Sequence, residues 1–199
     1  MIEVEKKFIL SESDMGRLTE GADFLQEKVF TDTYYDTTDF ILTSKDKWLR
    51  SRAGRFELKL PLYQGAERMI YAYDELENEE DIKKVLGFEM GKSFSDSLAD
   101  NMYFPFCICK TTRRKYKSGD FNIDLDAVEF KEFAYSLGEI ELMVNDKSEV
   151  KEATEKIMAL AEEKRLKIAP VRGKVIEYLK RIRPEHYQVM LKLGVVKEI

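Results

Sequence analysis

The sequence predicts an α+β domain rich in antiparallel strands, with helices as inserts and a helical tail. Three observations predict it. Most of the chain up to Val144 alternates apolar and charged side chains with period two, the period changes to 3.6 after Asp146, and no internal repeat or Pro/Gly/Ser-rich linker divides the 199 residues. Charged residues make up 36 % and hydrophobic residues 44 %, which is a composition that folds rather than one that stays disordered. A single domain over 1–199 is expected, with a helical C-terminal part over about 146–194.

Ile2, Val4 and Phe8 alternate with Glu3, Glu5 and Lys7, so residues 2–10 are expected to form a strand. Ser11 is placed to cap a short helix running to Glu20. Residues 28–36, 40–43, 47–52 and 55–62 read as consecutive strands, with Gly54 as a tight-turn signal between the last two. A further strand is expected from Met69 to Leu76, then an acidic helix from Glu77 to Leu86 stopped by Gly87, then a short helix from Ser93 to Asp100. Strands follow at Tyr103–Lys117, Asp120–Val128 and Tyr135–Val144. Asp146-x-x-Glu149 is a capping-box pattern that opens a helix to about Leu166, with Val150, Ala153, Ile157 and Leu160 on one face. Helices over Lys174–Arg183 and Pro184–Leu193 complete the chain, Pro184 suiting a first helical turn and Gly194 a C-terminal stop.

One histidine and two cysteines exclude a His/Cys zinc site, a disulfide framework and any chemistry that needs two imidazoles. A net charge of -5 argues against a general nucleic-acid surface. The amino terminus is charged from its third residue and the longest largely apolar run, Tyr103–Cys109, is too short to span a bilayer, so neither a signal peptide nor a membrane partner is expected. Cys107 and Cys109, two apart, read as reduced thiols in a cytoplasmic protein. A monomer is expected.

The informative feature is which charges share a strand face, because residues i and i+2 point the same way. Glu3, Glu5 and Lys7 share a face, as do Trp48, Arg50 and Arg52, Glu57 and Lys59, Tyr73 and Glu75, Asp124 and Asp126, and Glu139 and Glu141. Any one such row is ordinarily the solvated side of a half-buried sheet. The opposite faces, however, are strongly apolar (Phe56, Leu58 and Leu60; Phe121, Ile123 and Leu125; Ile140, Leu142 and Val144) and need the amphipathic helices as cover. If the sheet curls closed with helices outside, the ionic rows face a shared interior. Like-charged neighbours such as Glu3 and Glu5, or Glu139 and Glu141, repel there, and a divalent cation relieves that repulsion. Oxygen-only ligands select a hard ion, Mg²⁺ or Mn²⁺. The bases Lys7, Arg50, Arg52, Lys59, Arg113 and Lys174 suit a polyanion, arginine forks matching phosphate oxygens. Arg113 and Arg114 are adjacent, and alternation alone does not say which of them faces inward.

The segment Glu3-Val4-Glu5-Lys6-Lys7 resembles the ExExK signature of the CYTH superfamily, the triphosphate tunnel metalloenzymes. IEVEKKF at the start, DTYYDT at 32–37, WLRSR at 48–52, ELK at 57–59, YDEL at 73–76, DLD at 124–126, GEIE at 138–141 and the tail RGKVIEYLKRIRPEHYQ are similar, more narrowly, to the animal-type thiamine triphosphatase subfamily. The resemblance implies a closed eight-stranded antiparallel β-barrel holding a small-molecule triphosphate with Mg²⁺. It implies Glu3, Glu5, Asp124, Glu139 and Glu141 as metal ligands, with Asp126 behind them. It implies Lys7, Arg50, Arg52, Lys59, Arg113 and Lys174 as phosphate contacts, Glu75 as a further acid facing the substrate, Tyr34 with Lys59 as the pair that assists water activation, and Trp48 against the organic group. The expected reaction is hydrolysis of the terminal phosphoanhydride bond of an organic triphosphate, thiamine triphosphate first, giving the diphosphate and phosphate. A carboxylate such as Glu5, or the Tyr34 and Lys59 pair, would take the proton, Lys59 having a pKa lowered by neighbouring cations. The alternatives are an inorganic or nucleoside triphosphatase or an adenylate cyclase of the same fold, and a polyphosphate-binding module without turnover.

Three features invite other readings. Gly87-x-x-x-Gly91-Lys92-Ser93 imitates a phosphate-binding loop but is one residue short and follows a helix. His186 lies outside every charge row and reads as a packing residue. The acidic run Glu77–Asp81 reads as a solvated helix start.

Overall fold

The computed structural model describes residues 2–63 and 70–198. Eight antiparallel strands close into a barrel: β1 (Ile2–Phe8), β2 (Asp23–Asp36), β3 (Trp48–Arg52), β4 (Arg55–Pro61), β5 (Tyr71–Leu76), β6 (Phe104–Ser118), β7 (Phe121–Glu129) and β8 (Ala134–Val144). Their order around the barrel is β1-β5-β4-β3-β2-β6-β7-β8. The first strand joins the last, pairing Lys7 with Glu139 and Glu5 with Glu141. Closure leaves no free edge, and it sends alternate side chains inward along every strand.

The period-two pattern determines which side is which. Ile2, Val4, Phe8, Ile123, Leu125, Ile140, Leu142 and Val144 face outward, where helix α4 (Val150–Glu163) covers them with Val150, Ala153, Ile157, Leu160 and Ala161. Helix α1 (Glu12–Thr19), capped by Ser11, adds Leu18 to the same cluster. On the opposite side, helices α2 (Glu79–Leu86) and α3 (Phe94–Asp100) pack Ile82, Phe94 and Leu98 against Leu49, Phe56 and Leu58. Helices α5 (Lys174–Ile182) and α6 (Pro184–Lys192) lie across one end of the barrel. There Val175, Tyr178, Leu179, Tyr187 and Met190 meet Tyr34, Cys107, Cys109, Val128 and Leu137. Ala53 and Gly54, at φ 50° and 82°, form the left-handed two-residue turn that joins β3 to β4.

Several boundaries differ from the sequence expectation. Residues 40–43 are not a strand. The Asp36 carboxylate takes the backbone N–H groups of Thr37, Leu42 and Thr43, so those donors are spent on a side chain rather than a ladder, and the segment folds into a 3₁₀ turn at Thr43–Lys45. The second strand starts at Asp23 instead of residue 28, because pairing with β6 continues past a bulge at Leu25 as far as Asp23–Lys117. The capping box at Asp146 forms, but on a 3₁₀ turn, and the α-helix begins at Val150. The fifth strand is seen from Tyr71; Met69, its expected start, lies outside the described residues, as does Met1.

Candidate active site

Inward-facing side chains of the strands enclose a cavity of about 420 Å³, lined by Glu3, Glu5, Lys7, Tyr34, Trp48, Arg50, Arg52, Lys59, Glu75, Arg113, Glu139, Glu141 and Lys174 together with Asp46, Glu57, Lys115 and Asp126. Asp124, fully buried, stands behind that lining within reach of Glu139 and Glu141. Every residue that the sequence singled out therefore lies in or against one space, and alternation explains why.

Register determines the neighbours. Asp126 faces Arg113, Asp124 faces Lys115 and Glu139, Asp32 faces Arg52, and Lys59 faces both Trp48 and Glu75. These placements become ion pairs. Arg113 grips Asp126 with two bonds of 2.6 Å, reaches Glu139 at 3.2 Å and pairs closely with Asp124. Arg52 grips Asp32 at 2.7 and 3.0 Å, and Lys174 Nζ donates to the same carboxylate at 2.6 Å. Arg50 Nε donates to Glu57 at 2.6 Å and its terminal nitrogen reaches Glu75 at 3.1 Å. Lys7 pairs with Glu5 and, at 3.1 Å, with Glu139; Lys59 pairs with Glu3. Arg113 is the inward arginine, whereas Arg114 points out to Met15 Sδ. Lys174 arrives from α5, next to Gly173, where a Cβ would crowd Lys7 Cε at 3.2 Å.

Two groups of carboxylates have oxygens within 4.8 Å of one another: Glu3, Glu5 and Glu141, and Asp124, Glu139 and Glu141. Glu141 belongs to both and has no hydrogen bond or ion pair among the described residues, although it is 4 % exposed. Burial and the charges of Glu3, Asp124 and Glu139 push its carboxyl well above the usual range. Both Asp124 oxygens lack a hydrogen bond with proper geometry, its contacts being the ion pairs to Arg113 and Lys115. Burial likewise raises Glu5, although Lys7 opposes it. Orphaned buried carboxylate oxygens that converge in this way fit a hard divalent cation, which would satisfy them together.

The basic side differs from expectation in one respect. Lys59 has Arg50 near it, but the acids around it prevail. Burial alone would lower its pKa, but Glu3, Glu5 and Glu75 outweigh it and the ammonium is held well above its ordinary value. Burial raises Tyr34 too, and no hydrogen bond joins Tyr34 to Lys59 among the described residues. Both keep their protons in this state.

Three groups that hold the site together, Asp32, Phe30 and Asp46, were not singled out, and a fourth, Glu57, was placed on an ionic row without a role. Asp32, fully buried, orients Arg52 and Lys174, and Glu57 orients Arg50. The Phe30 ring lies 4.0, 5.7 and 5.5 Å from the cationic groups of Arg52, Arg113 and Lys174. Asp46 accepts from Trp48. Parity with Tyr34 marks Asp32 and Phe30 in the sequence, whereas Asp46 follows an irregular turn and carries no such mark. The imitation phosphate loop is helix punctuation, Gly87 ending α2 in a left-handed conformation and Ser93 capping α3.

The family model for the CYTH domain matches residues 1–169. The chain is 33 % identical over 215 residues to a thiamine-triphosphatase of Macaca fascicularis, covering 100 % of this chain and 93 % of that protein. It is 32 % identical over 218 residues to the thiamine-triphosphatase of Homo sapiens, with the same coverage. A solved structure of a Pyrococcus horikoshii protein superimposes with a TM-score of 0.65 at 23 % identity, over 90 % of this chain and 99 % of that one.

Proposed function

The chain belongs to the CYTH domain family, and from that premise we propose that it is a metal-dependent phosphoanhydride hydrolase that takes thiamine triphosphate to thiamine diphosphate and phosphate. The observation that carries this reading is Glu141, a buried carboxylate with no hydrogen bond or ion pair among the described residues, shared by two acid clusters in a cavity that basic side chains also line. Full-length similarity to two thiamine-triphosphatases supports the substrate.

Phosphoryl transfer asks a protein mainly for positioning and charge neutralisation. Glu3, Glu5, Asp124, Glu139 and Glu141 would hold Mg²⁺, or Mn²⁺ in its place, and the bound ion supplies charge neutralisation on the phosphate oxygens. Arg50, Arg52, Arg113, Lys7 and Lys174 bind the remaining phosphate oxygens, exchanging part of their ion pairs with Asp32, Glu57, Glu75 and Glu139 for the substrate. Holding three phosphates in line leaves one face of the terminal phosphorus open to water. Glu5 accepts the proton of that water. Lys59 and Tyr34, both protonated, assist by donating hydrogen bonds to the water and to the phosphoryl oxygens rather than by acting as bases. Trp48, on the same face as Arg50 and Arg52, lies against the organic group, where a cation–π contact with a thiazolium is worth about 0.5–2 kcal/mol.

Helix α5 supplies Lys174 to the cavity formed by the strands, which supports residues 1–199 acting as one domain. No helix among the described residues is long and apolar enough to cross a membrane. Two buried free thiols, Cys107 and Cys109, are in keeping with a cytoplasmic location. The test is phosphate release from thiamine triphosphate, inorganic triphosphate and ATP as Mg²⁺ and Mn²⁺ are titrated. Metal-dependent release with the highest kcat/KM for thiamine triphosphate is expected. A higher kcat/KM for either other substrate overturns the substrate assignment, and no release from any of the three overturns the enzyme.

A further inference from the structure

The geometry points to Asp46 as a positioning residue that fixes the indole of Trp48 and the phenol of Tyr73, and through them the preference for an organic over an inorganic triphosphate. This inference rests on the reading of Trp48 as the contact for the organic group. Asp46 is 5 % exposed and stands at the cavity wall. Its Oδ1 accepts the Trp48 Nε1–H at 2.9 Å and the Tyr73 hydroxyl at 3.0 Å, so one oxygen ties β3 to β5 across the intervening β4. Tyr73 in turn lies opposite Glu3 in the β1–β5 register, with the Lys59 ammonium 5.8 Å from its ring. The indole therefore shares an anchor with a side chain that borders the acid cluster.

An anchor positions only if it is itself held, and this one is. Asp46 ends the Thr43–Lys45 turn at φ 59°, its N–H bonded to the Thr43 carbonyl at 3.0 Å. Thr43 is fixed by Asp36, which accepts its N–H at 2.8 Å and its hydroxyl at 2.7 Å, and by His186 of α6, whose Nε2 is 2.6 Å from the same hydroxyl oxygen. His186 stacks on Phe40 at 3.8 Å. A side chain with two rotatable bonds, one of whose rotamers is hydrogen-bonded to so rigid an acceptor, presents its ring in one orientation at low entropic cost on binding. Inorganic triphosphate has no group to meet that ring, so the effect should be confined to organic substrates.

Trp48 is the one tryptophan of the chain, so its spectroscopy needs no assignment. In the unmodified protein its indole N–H should appear as a single, slowly exchanging resonance; a freely exchanging indole N–H overturns the proposal without any variant. Asp46→Gly keeps the left-handed backbone and removes the acceptor. It should lower the ratio of kcat/KM for thiamine triphosphate over inorganic triphosphate about tenfold and raise acrylamide quenching of Trp48. Asp46→Asn, which retains an amide oxygen and tolerates the backbone, should restore most of both. In a Trp48→Phe background Asp46→Gly should leave the ratio where Trp48→Phe put it. An unchanged ratio in Asp46→Gly, or an equal fall in the Trp48→Phe background, overturns the proposal. Absence of thiamine triphosphate turnover in the unmodified protein would instead defeat the substrate reading, and the exchange and quenching of Trp48 would then decide the positioning on their own.

Discussion

Lys6 and Lys7 are consecutive, both well buried, and opposite in everything else. Lys6 points out of the barrel and donates to the carbonyls of Ala169 at 2.7 Å and Lys7 at 3.2 Å, with no ion pair among the described residues; burial lowers its pKa to about 8. Lys7 points in, and Glu139 and Glu5 raise its pKa well above the ordinary value against the effect of burial. The same contrast runs through the molecule. Away from the cavity, Asp36 accepts three backbone N–H groups and a hydroxyl. Inside it, Glu141 has no partner among the described residues and Asp124 has no well-formed hydrogen bond. Polar groups buried for the fold are satisfied, because an orphan costs about 1–3 kcal/mol. Those left wanting are where a ligand is expected to complete them.

Glu141→Gln puts the sharpest strain on that contrast. With saturating metal it should lower kcat/KM for the triphosphate at least ~100-fold, since it removes the carboxylate common to both clusters. Without metal it should raise the melting temperature by about 2–4 °C, because it removes a buried carboxyl that the fold keeps only by forcing it to hold a proton, at a cost of ~1 kcal/mol. A fall in melting temperature in the metal-free protein would mean that Glu141 is held by the fold. Next in size, Asp36→Ala should cost about 3 kcal/mol in urea unfolding, leaving several buried donors without an acceptor. Metal affinity by calorimetry should change less than twofold. A large change in metal affinity would show that the two sets of groups are not separate.

Much of this was legible in the sequence, and for a stated reason. Strand alternation groups most of the inward charges once closure is granted, so Glu3, Glu5, Arg50, Arg52, Glu139 and Glu141 could be grouped from the sequence, whereas it does not choose between Arg113 and Arg114 and does not reach Lys174 on α5. What alternation does not carry is the partner of each charge. Lys59 was expected among cations because bases are plentiful, but β4 lies beside β5, which places Glu75 next to it, and its side chain reaches Glu3. Residues 40–43 looked like a strand because Ile41 and Leu42 are apolar. The competing signal was Asp36, whose carboxylate captures N–H groups six and seven residues ahead. A side chain that acts across an irregular turn has no period, and Asp46 was missed for the same reason.

The smallest effect concerns the groups buried for the fold, and it separates them from the cavity by pH. Burial lowers His186 to about 4 from an ordinary 6.5, with Arg183 pushing the same way and Asp36 opposing. Thr43 donates its hydroxyl to Asp36, so its oxygen is left to accept from His186 Nε2–H, and the ring is held neutral in one tautomer. Between pH 6.5 and 4 the unfolded chain binds a proton there that the folded protein refuses. Stability from this group is thus complete above pH 6.5 and lost as pH falls through that window. The loss between pH 6.5 and 5.5 is about 1 kcal/mol. Glu141, Glu5 and Asp124, whose pKa values are raised, act in the opposite sense as pH falls, since the fold holds their protons more tightly than the unfolded chain does. The quantity to measure is therefore the difference in unfolding free energy between the protein and His186→Gln, whose amide can still donate to Thr43 but does not titrate. That difference should narrow by about 1 kcal/mol from pH 6.5 to 5.5. It should narrow equally with and without saturating metal, because the bound ion changes the titration of the cavity carboxylates and leaves the histidine outside it untouched. A difference that is constant with pH, or that narrows only when metal is absent, would join the two sets of buried groups that the structure keeps apart.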